Sequence, residues 1–271
     1  MDPLLLYPFL ACLLLVLIHA YFGVHILQRG IIFVDLALAQ FIGVGMALAF
    51  YFGQERSALL PLAAALVGSA VLALGKKISR QVNVEAFIGV LYIFSISAAI
   101  LILDKTPHGL EEFKNILNGN IIWVMPADLL STFAVYTVIG AVHLVFQKRF
   151  LAMTYEAKGG YFWEFLFFFT FALVLVKSVE LAGILQVFAF LVIPALIGRL
   201  FFTAPVKILL TGWLAGTAVS MAGVMASYRF DLPTAPVIVA GFAGLFFVLL
   251  ALKYWFQARG RRERKPHSIQ A

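Results

Sequence analysis

The side chains of this chain that could do chemistry are few, and most are carboxylates or histidines set among apolar residues. Asp35 and Gln40 fall within the stretch IIFVDLALAQFIGVG. A carboxylate inside a membrane helix costs about 2.5–3.5 kcal/mol at the centre and less towards the edge. Asp35 therefore needs an opposite charge, a metal ion or a water-filled cavity. Two readings stand side by side: it caps or pairs with nearby Arg29 at the interface, or it lines a cation pathway. His19, His25 and His143 lie near the ends of apolar runs, where an amphipathic imidazole packs well without being a ligand. Lys177 and Glu180 are spaced to pair with each other, and Asp231 in RFDLPTAP has the company of a turn. There is no G-x-S-x-G elbow and no H-E-x-x-H pair. Gly75-Lys76-Lys77 lacks the upstream glycine and the following Ser or Thr of a phosphate loop. These absences predict a protein that is neither an enzyme nor an ATP binder. The single cysteine, Cys12, allows no intrachain disulfide and no thiolate metal cluster.

The elements that must carry these residues follow from composition. The chain has 271 residues, 63% hydrophobic and 12% charged, with a mean hydropathy of +1.01. Soluble domains are about 45–50% apolar and roughly 25% charged, so a soluble globular enzyme is excluded. Disorder is excluded too, because disordered chains are poor in aliphatic and aromatic residues. Apolar runs at 3–22, 31–53, 58–75, 86–103, 127–146, 162–178, 181–202, 207–228 and 235–256 read as nine membrane-crossing helices. Backbone in lipid must satisfy its own hydrogen bonds, and uninterrupted runs of this length favour helices over barrel strands. The expected fold is an all-α polytopic transmembrane bundle, with residues 1–256 one transmembrane domain and 257–271 a basic tail. The opening segment MDPLLLYPFL has no basic leading region and reads as a first span, not a cleaved signal.

Charge sets the orientation. One set of loops holds Arg29, Lys76, Lys77, Arg80, Lys148, Arg149, Lys158, Arg199, Lys207 and the tail from Lys253; the other holds Arg56, Lys105, Lys114, Lys177 and Arg229. Fifteen basic residues against five places the C-terminus in the cytoplasm and, with nine spans, the N-terminus outside. The basic tail reads as a topological anchor, so nucleic acid is not an expected partner. The outer segment from Asp104 to Pro126 is long, and its amphipathic second half is expected at the membrane interface. The inner segment 147–164, QKRFLAMTYEAKGGYFWE, suits a short helix along the cytoplasmic face. Gly212, Gly216 and Ser220 form a small-residue stripe for close helix packing, within the chain or at a dimer seam.

Four segments in order resemble the membrane subunit of metal-uptake ABC transporters, the family that includes the zinc and manganese permeases. They are GVHILQRGIIFVDLALAQFIGVGMALA, VEAFIGVLYIFSIS, VELAGILQVFAFLVIPALIGRLF and SYRFDLPTAPVIV, and together they cover about residues 20–250. The resemblance implies a multi-pass permease in the plasma membrane of a prokaryote, working as two copies. It also implies a cytoplasmic ATP-binding subunit docked on each copy and an extracytoplasmic metal-binding protein that delivers a divalent ion, zinc first and manganese or iron next. No permanently bound cofactor is implied; ATP acts only through the partner.

The departures bear on the site. The family's aspartate is followed four residues later by histidine, whereas Asp35 is followed by Ala39 and then Gln40. Asp35 carries over as a metal ligand. Gln40 offers a neutral oxygen, but about 140° further round the helix. The pattern Asp-x-x-Leu-Ala-Gln resembles a variant branch of the family. The inner loop lacks the family's Asp-Pro-Glu and keeps Thr154-Tyr155-Glu156-Ala157-Lys158-Gly159, which the resemblance assigns to ATPase coupling. Two other classes remain as alternatives: a secondary carrier without an ATPase, which predicts an inverted repeat, and a non-transporting assembly or sensor subunit.

Overall fold

Long runs of Leu, Ile, Val, Phe and Ala can bury their backbone polarity only by coiling, and the chain does so wherever proline, glycine or charge does not interrupt it. The computed structural model describes residues 3–54, 57–78, 81–119 and 121–263. The helices are α1 (Pro3–Arg29), α2 (Val34–Tyr51), α3 (Leu59–Ala73), α4 (Gly75–Ile78), α5 (Val84–Leu103) and α6 (Gly109–Asn118). A 3-10 turn at Ile121–Trp123 leads to α7 (Pro126–Val145), α8 (Gln147–Tyr155), α9 (Tyr161–Phe201), α10 (Pro205–Phe230) and α11 (Thr234–Glu263). Starts follow local chemistry: Asn83 accepts from the Ala86 amide at 3.1 Å to open α5, and Pro126 and Pro205 open α7 and α10, where a missing N–H is harmless. Of the residues used to read orientation, Arg56, Arg80, Arg264 and Lys265 lie outside the described residues, as does the end of the basic tail, 264–271.

Among the described residues seven helices are long and apolar enough to cross a membrane: α1, α2, α5, α7, α9, α10 and α11. The nine apolar runs differ from this count for two reasons. The third run yields only the 15-residue α3. The sixth and seventh merge into the 41-residue α9, broken at Gly183, whose φ of 73° and ψ of 164° are not helical. The charged pair Lys177 and Glu180 had pointed to a boundary slightly earlier.

Contacts with α1 show what the break does. Phe22, His25 and Arg29 meet Phe171, Phe167 and Glu164 in turn, so the first half of α9 runs against α1. Gly23 lies on Leu191 and Ala195, and Arg199 donates to the Leu27 carbonyl at 2.9 Å, so the second half runs with α1. The chain therefore reverses at Gly183, and both halves pass α1 at the same level. Straight, 41 residues would extend about 60 Å at 1.5 Å each, twice a bilayer's hydrocarbon core.

This hairpin is the centre of the bundle. In its most apolar stretch 78% of α9 is buried, against 17% for α11. It packs on α1, α3, α10 and α11. The small-residue stripe is spent inside the chain: Gly212 abuts the Pro194 carbonyl, Gly216 abuts Val16, and Ser220 donates back to Gly216 O at 2.7 Å. At the break, Gly119 closes α6 with φ 59°, and a Cβ on Gly119 or Gly183 would overlap the other's backbone. The segment from Asp104 to Pro126, expected at the membrane interface, thus ends α6 by wedging into the turn of α9.

Candidate functional site

Asp35 stands in the first turn of α2, is 0% exposed, and neither carboxylate oxygen has a hydrogen-bond partner among the described residues. Its place at a helix N-terminus favours negative charge by a fraction of a kcal/mol, about 0.3–1 kcal/mol at exposed sites. That is small beside the cost of burying a carboxylate unpaired. Pairing with Arg29 does not occur. The Arg29 guanidinium binds Glu164 of α9 and lies over Phe167 and Phe168 at 5.3 and 5.2 Å. Of the two readings of Asp35, the ion pair is therefore removed. What remains is a buried oxygen donor suited to a hard or borderline divalent cation.

Gln40 is also buried, and the space beside Gly43 is bordered by its Oε1, Ile116 of α6 and Ile184 of α9. The helical advance turns it to a different face from Asp35. Among the described residues no group of three or more His, Cys, Asp and Glu side chains is close enough to hold a metal ion.

His19, His25 and His143 are buried, and each has a hydrogen-bond partner within the bundle. His25 Nδ1 is hydrogen-bonded to Thr154 Oγ1 at 2.7 Å. His143 bonds to the Tyr21 hydroxyl at 3.0 Å and to Thr170 Oγ1 at 2.8 Å, and stacks on Phe150 at 4.2 Å. His19 Nδ1 bonds to the Leu15 carbonyl at 2.9 Å, while its Nε2 has no partner among the described residues. Lys177 and Glu180 pair at 2.9 Å, as their spacing predicts. Asp231 sits in a left-handed turn with φ 52°, its amide donating to Ser227 O, so its turn role runs through the backbone.

The inner segment 147–164 forms the helix α8, an irregular turn and the start of α9. Phe150, Met153 and Thr154 are buried and hold α8 against the bundle, whereas Glu156, Ala157 and Lys158 are exposed. Ala157 has φ 53°, a conformation that costs a non-glycine residue about 1–2 kcal/mol. Glu156 and Lys158 pair at 2.8 Å, and that hydrogen bond with its charge holds the Lys158 ammonium above the ordinary lysine range. Burial pushes the Tyr155 phenol up. Beside this segment lies a cleft of about 330 Å³, lined in part by Gln28, Arg29, Val34, Thr154, Ala157 and Glu164.

Sequence reasoning passed over three polar residues here. Gln186 is fully buried in α9, one turn past the break, with neither side-chain polar atom partnered among the described residues. Its signal, an amide in an apolar run, is the one that marked Gln40. Glu85 Oε1 accepts from the Ile32 amide at 2.6 Å, just ahead of α2, and Glu164 neutralises Arg29. Neither pairing has a signal in local spacing.

A model of the ABC 3 transport family matches residues 1–253. The chain is 26% identical over 247 residues to a protein of Chlamydia pneumoniae named a probable metal transport system membrane protein, covering 87% of this chain and 84% of that relative. It is 24% identical over 242 residues to manganese transport system membrane protein MntC of Listeria innocua, covering 86% and 84%. Its fold superposes on a chain of PsaBC from Streptococcus pneumoniae in complex with Fab with a TM-score of 0.75, at 20% identity over 92% of this chain and 91% of that one. At that identity the likeness is one of fold.

Proposed function

Because the chain belongs to the ABC 3 transport family, we propose that it is the membrane-spanning subunit of an ATP-driven importer of divalent transition-metal ions. It works as two copies, with a separate cytoplasmic ATP-binding subunit on each and an extracytoplasmic binding protein delivering the ion. The family match favours this over an ATPase-independent carrier or a non-transporting subunit. One observation of the molecule supports the ion pathway: the Asp35 carboxylate, buried with both oxygens unpartnered among the described residues. Asp35 is the pathway ligand in this reading, and Gln40 is a second oxygen donor met further along the same helix. Oxygen donors suit manganese better than zinc, which prefers histidine and thiolate. Relatives are also named for manganese, so manganese stands ahead of zinc as cargo.

Nine crossings follow if α3 spans and the two halves of α9 count separately. With fifteen basic residues against five, the end of the bundle holding Arg29, Glu164 and Arg199 then faces the cytoplasm. Thr154, Tyr155, Glu156, Ala157, Lys158 and Gly159 form the contact that couples the subunit to ATP hydrolysis.

Reconstitution into vesicles with the ATP-binding subunit and the binding protein tests the function. Manganese should stimulate ATP hydrolysis more than zinc, and uptake should stop when the ATP-binding subunit is omitted. Uptake that persists without that subunit would instead establish a secondary carrier. For the coupling segment, deletion of 154–160 should abolish both co-purification with the ATP-binding subunit and uptake; survival of both would remove the assignment.

A further inference from the structure

Buried polar links join both ends of the segment assigned to coupling to α1, the helix that precedes the one carrying Asp35. Arg29, the last residue of α1, binds Glu164 in the first turns of α9, with side chains only 15% and 5% exposed. One turn earlier on α1, His25 bonds to Thr154 at the end of α8 at 2.7 Å. These two contacts bracket the exposed turn of the coupling segment, one before it and one after.

From Arg29 the path to Asp35 is short and hydrogen-bonded. Gly30, with φ 67°, turns the chain, and the Gly30, Ile31 and Val34 amides donate to Leu27, Ile26 and Ile31 carbonyls at 3.1–3.3 Å. Glu85 holds the Ile32 amide, and Arg199 holds the Leu27 carbonyl and Gln28 Oε1 at 2.9 and 2.6 Å. Hydrogen bonds thus tie the corner between α1 and α2 to α5 and α9, with Asp35 at its far edge. The 330 Å³ cleft beside it leaves room on one side for that corner to shift.

We propose that the Arg29–Glu164 pair, seconded by His25–Thr154, is the linkage through which movement of the coupling segment repositions Asp35. Arg29 and Glu164 are positioning residues: neither touches the ion. The inference rests on the reading of 154–159 as the coupling segment and of Asp35 as the pathway ligand.

The test is the neutral double variant R29M/E164Q in the complete transporter, reconstituted in vesicles with Mn(II) as the probe. Replacing a buried ion pair by neutral groups of similar volume is often neutral for stability, so a merely structural pair would leave transport per ATP unchanged. A linkage predicts that ions moved per ATP hydrolysed fall by about 5- to 150-fold, the usual range of coupling between sites, at an unchanged melting temperature. His25→Leu, which removes only the second link, should lower the same ratio by less, and it serves if the double variant fails to assemble. An unchanged ratio in these variants overturns the proposal, and so does a ratio that falls only in step with melting temperature. A Lys158→Cys label separates the two readings. If it cross-links to the ATP-binding subunit while R29M/E164Q keeps its ratio, only the linkage is wrong. If it never cross-links, the coupling segment is misassigned and the linkage falls with it.

Discussion

Asp35→Asn is expected to lower metal uptake by about 10- to 100-fold, the loss typical of disturbing a metal's protein partners, while raising the melting temperature of the purified subunit. The two directions come from one observation. A buried carboxylate whose oxygens have no partner among the described residues costs the resting fold free energy, at most about 2.5–3.5 kcal/mol, the figure for a helix centre, and less at this first-turn position. The amide has nearly the same shape and carries no charge, so the fold should gain. Uptake should lose, because an amide oxygen is a much weaker ligand for a divalent cation than a carboxylate. Arg29 is committed to Glu164, so no counter-charge is stranded by the change. Uptake in reconstituted vesicles and thermal unfolding in detergent are the measurements. Unchanged uptake would remove Asp35 from the pathway. Reduced uptake with a lower melting temperature would make it a structural residue instead.

The second large effect lies at the reversal of α9. Gly183→Ala and Gly119→Ala should each strongly destabilise the subunit. Each position has positive φ, 73° and 59°, which costs an L side chain about 1–2 kcal/mol. Each notional Cβ also meets backbone of the other segment, which cannot swing aside as a flexible side chain can. Forcing the segments apart adds an overpacking cost of about 1–3 kcal/mol. Gly89→Ala and Gly140→Ala are the controls, since a Cβ at either meets nothing within 4 Å. Both lie within helices, where alanine is favoured by up to about 1 kcal/mol. Thermal unfolding of the four variants decides it: a melting temperature for Gly183→Ala or Gly119→Ala matching the controls would show that α6 does not lock the turn.

Much of the architecture was legible because lipid leaves a chain few choices. Apolar runs near 31–53, 86–103, 127–146 and 207–228 became α2, α5, α7 and α10 with ends displaced by a few residues. Asp35 was legible for the same reason, since a carboxylate in such a run is conspicuous by its cost. What spacing could not supply were partners distant in the chain. Arg29 looked like a mate for Asp35, six residues away, but it takes Glu164, 135 residues on. His25 and His143 read as interfacial side chains. Their anchors, Thr154 and Thr170, become neighbours only once α8 and α9 fold back on α1. The charged pair Lys177 and Glu180 points to a turn near 179–180, yet the turn lies at Gly183, where packing against a second glycine permits a reversal that composition alone does not mark.

The reversal of α9 also bears on the order in which the molecule is made. A ribosome releases the chain from its N-terminus at about 5–20 residues per second, so α1 to α7 emerge before the element that becomes their centre. Until α9 arrives, α1 and α3 lack the element they pack on, and Arg29 has not yet met Glu164. Gly119 is by then already made, a notch waiting for Gly183. The hub is thus a late-arriving keystone, and Arg29, which later binds Glu164 just past the coupling segment, spends the interval exposed to lipid, water or an insertion factor.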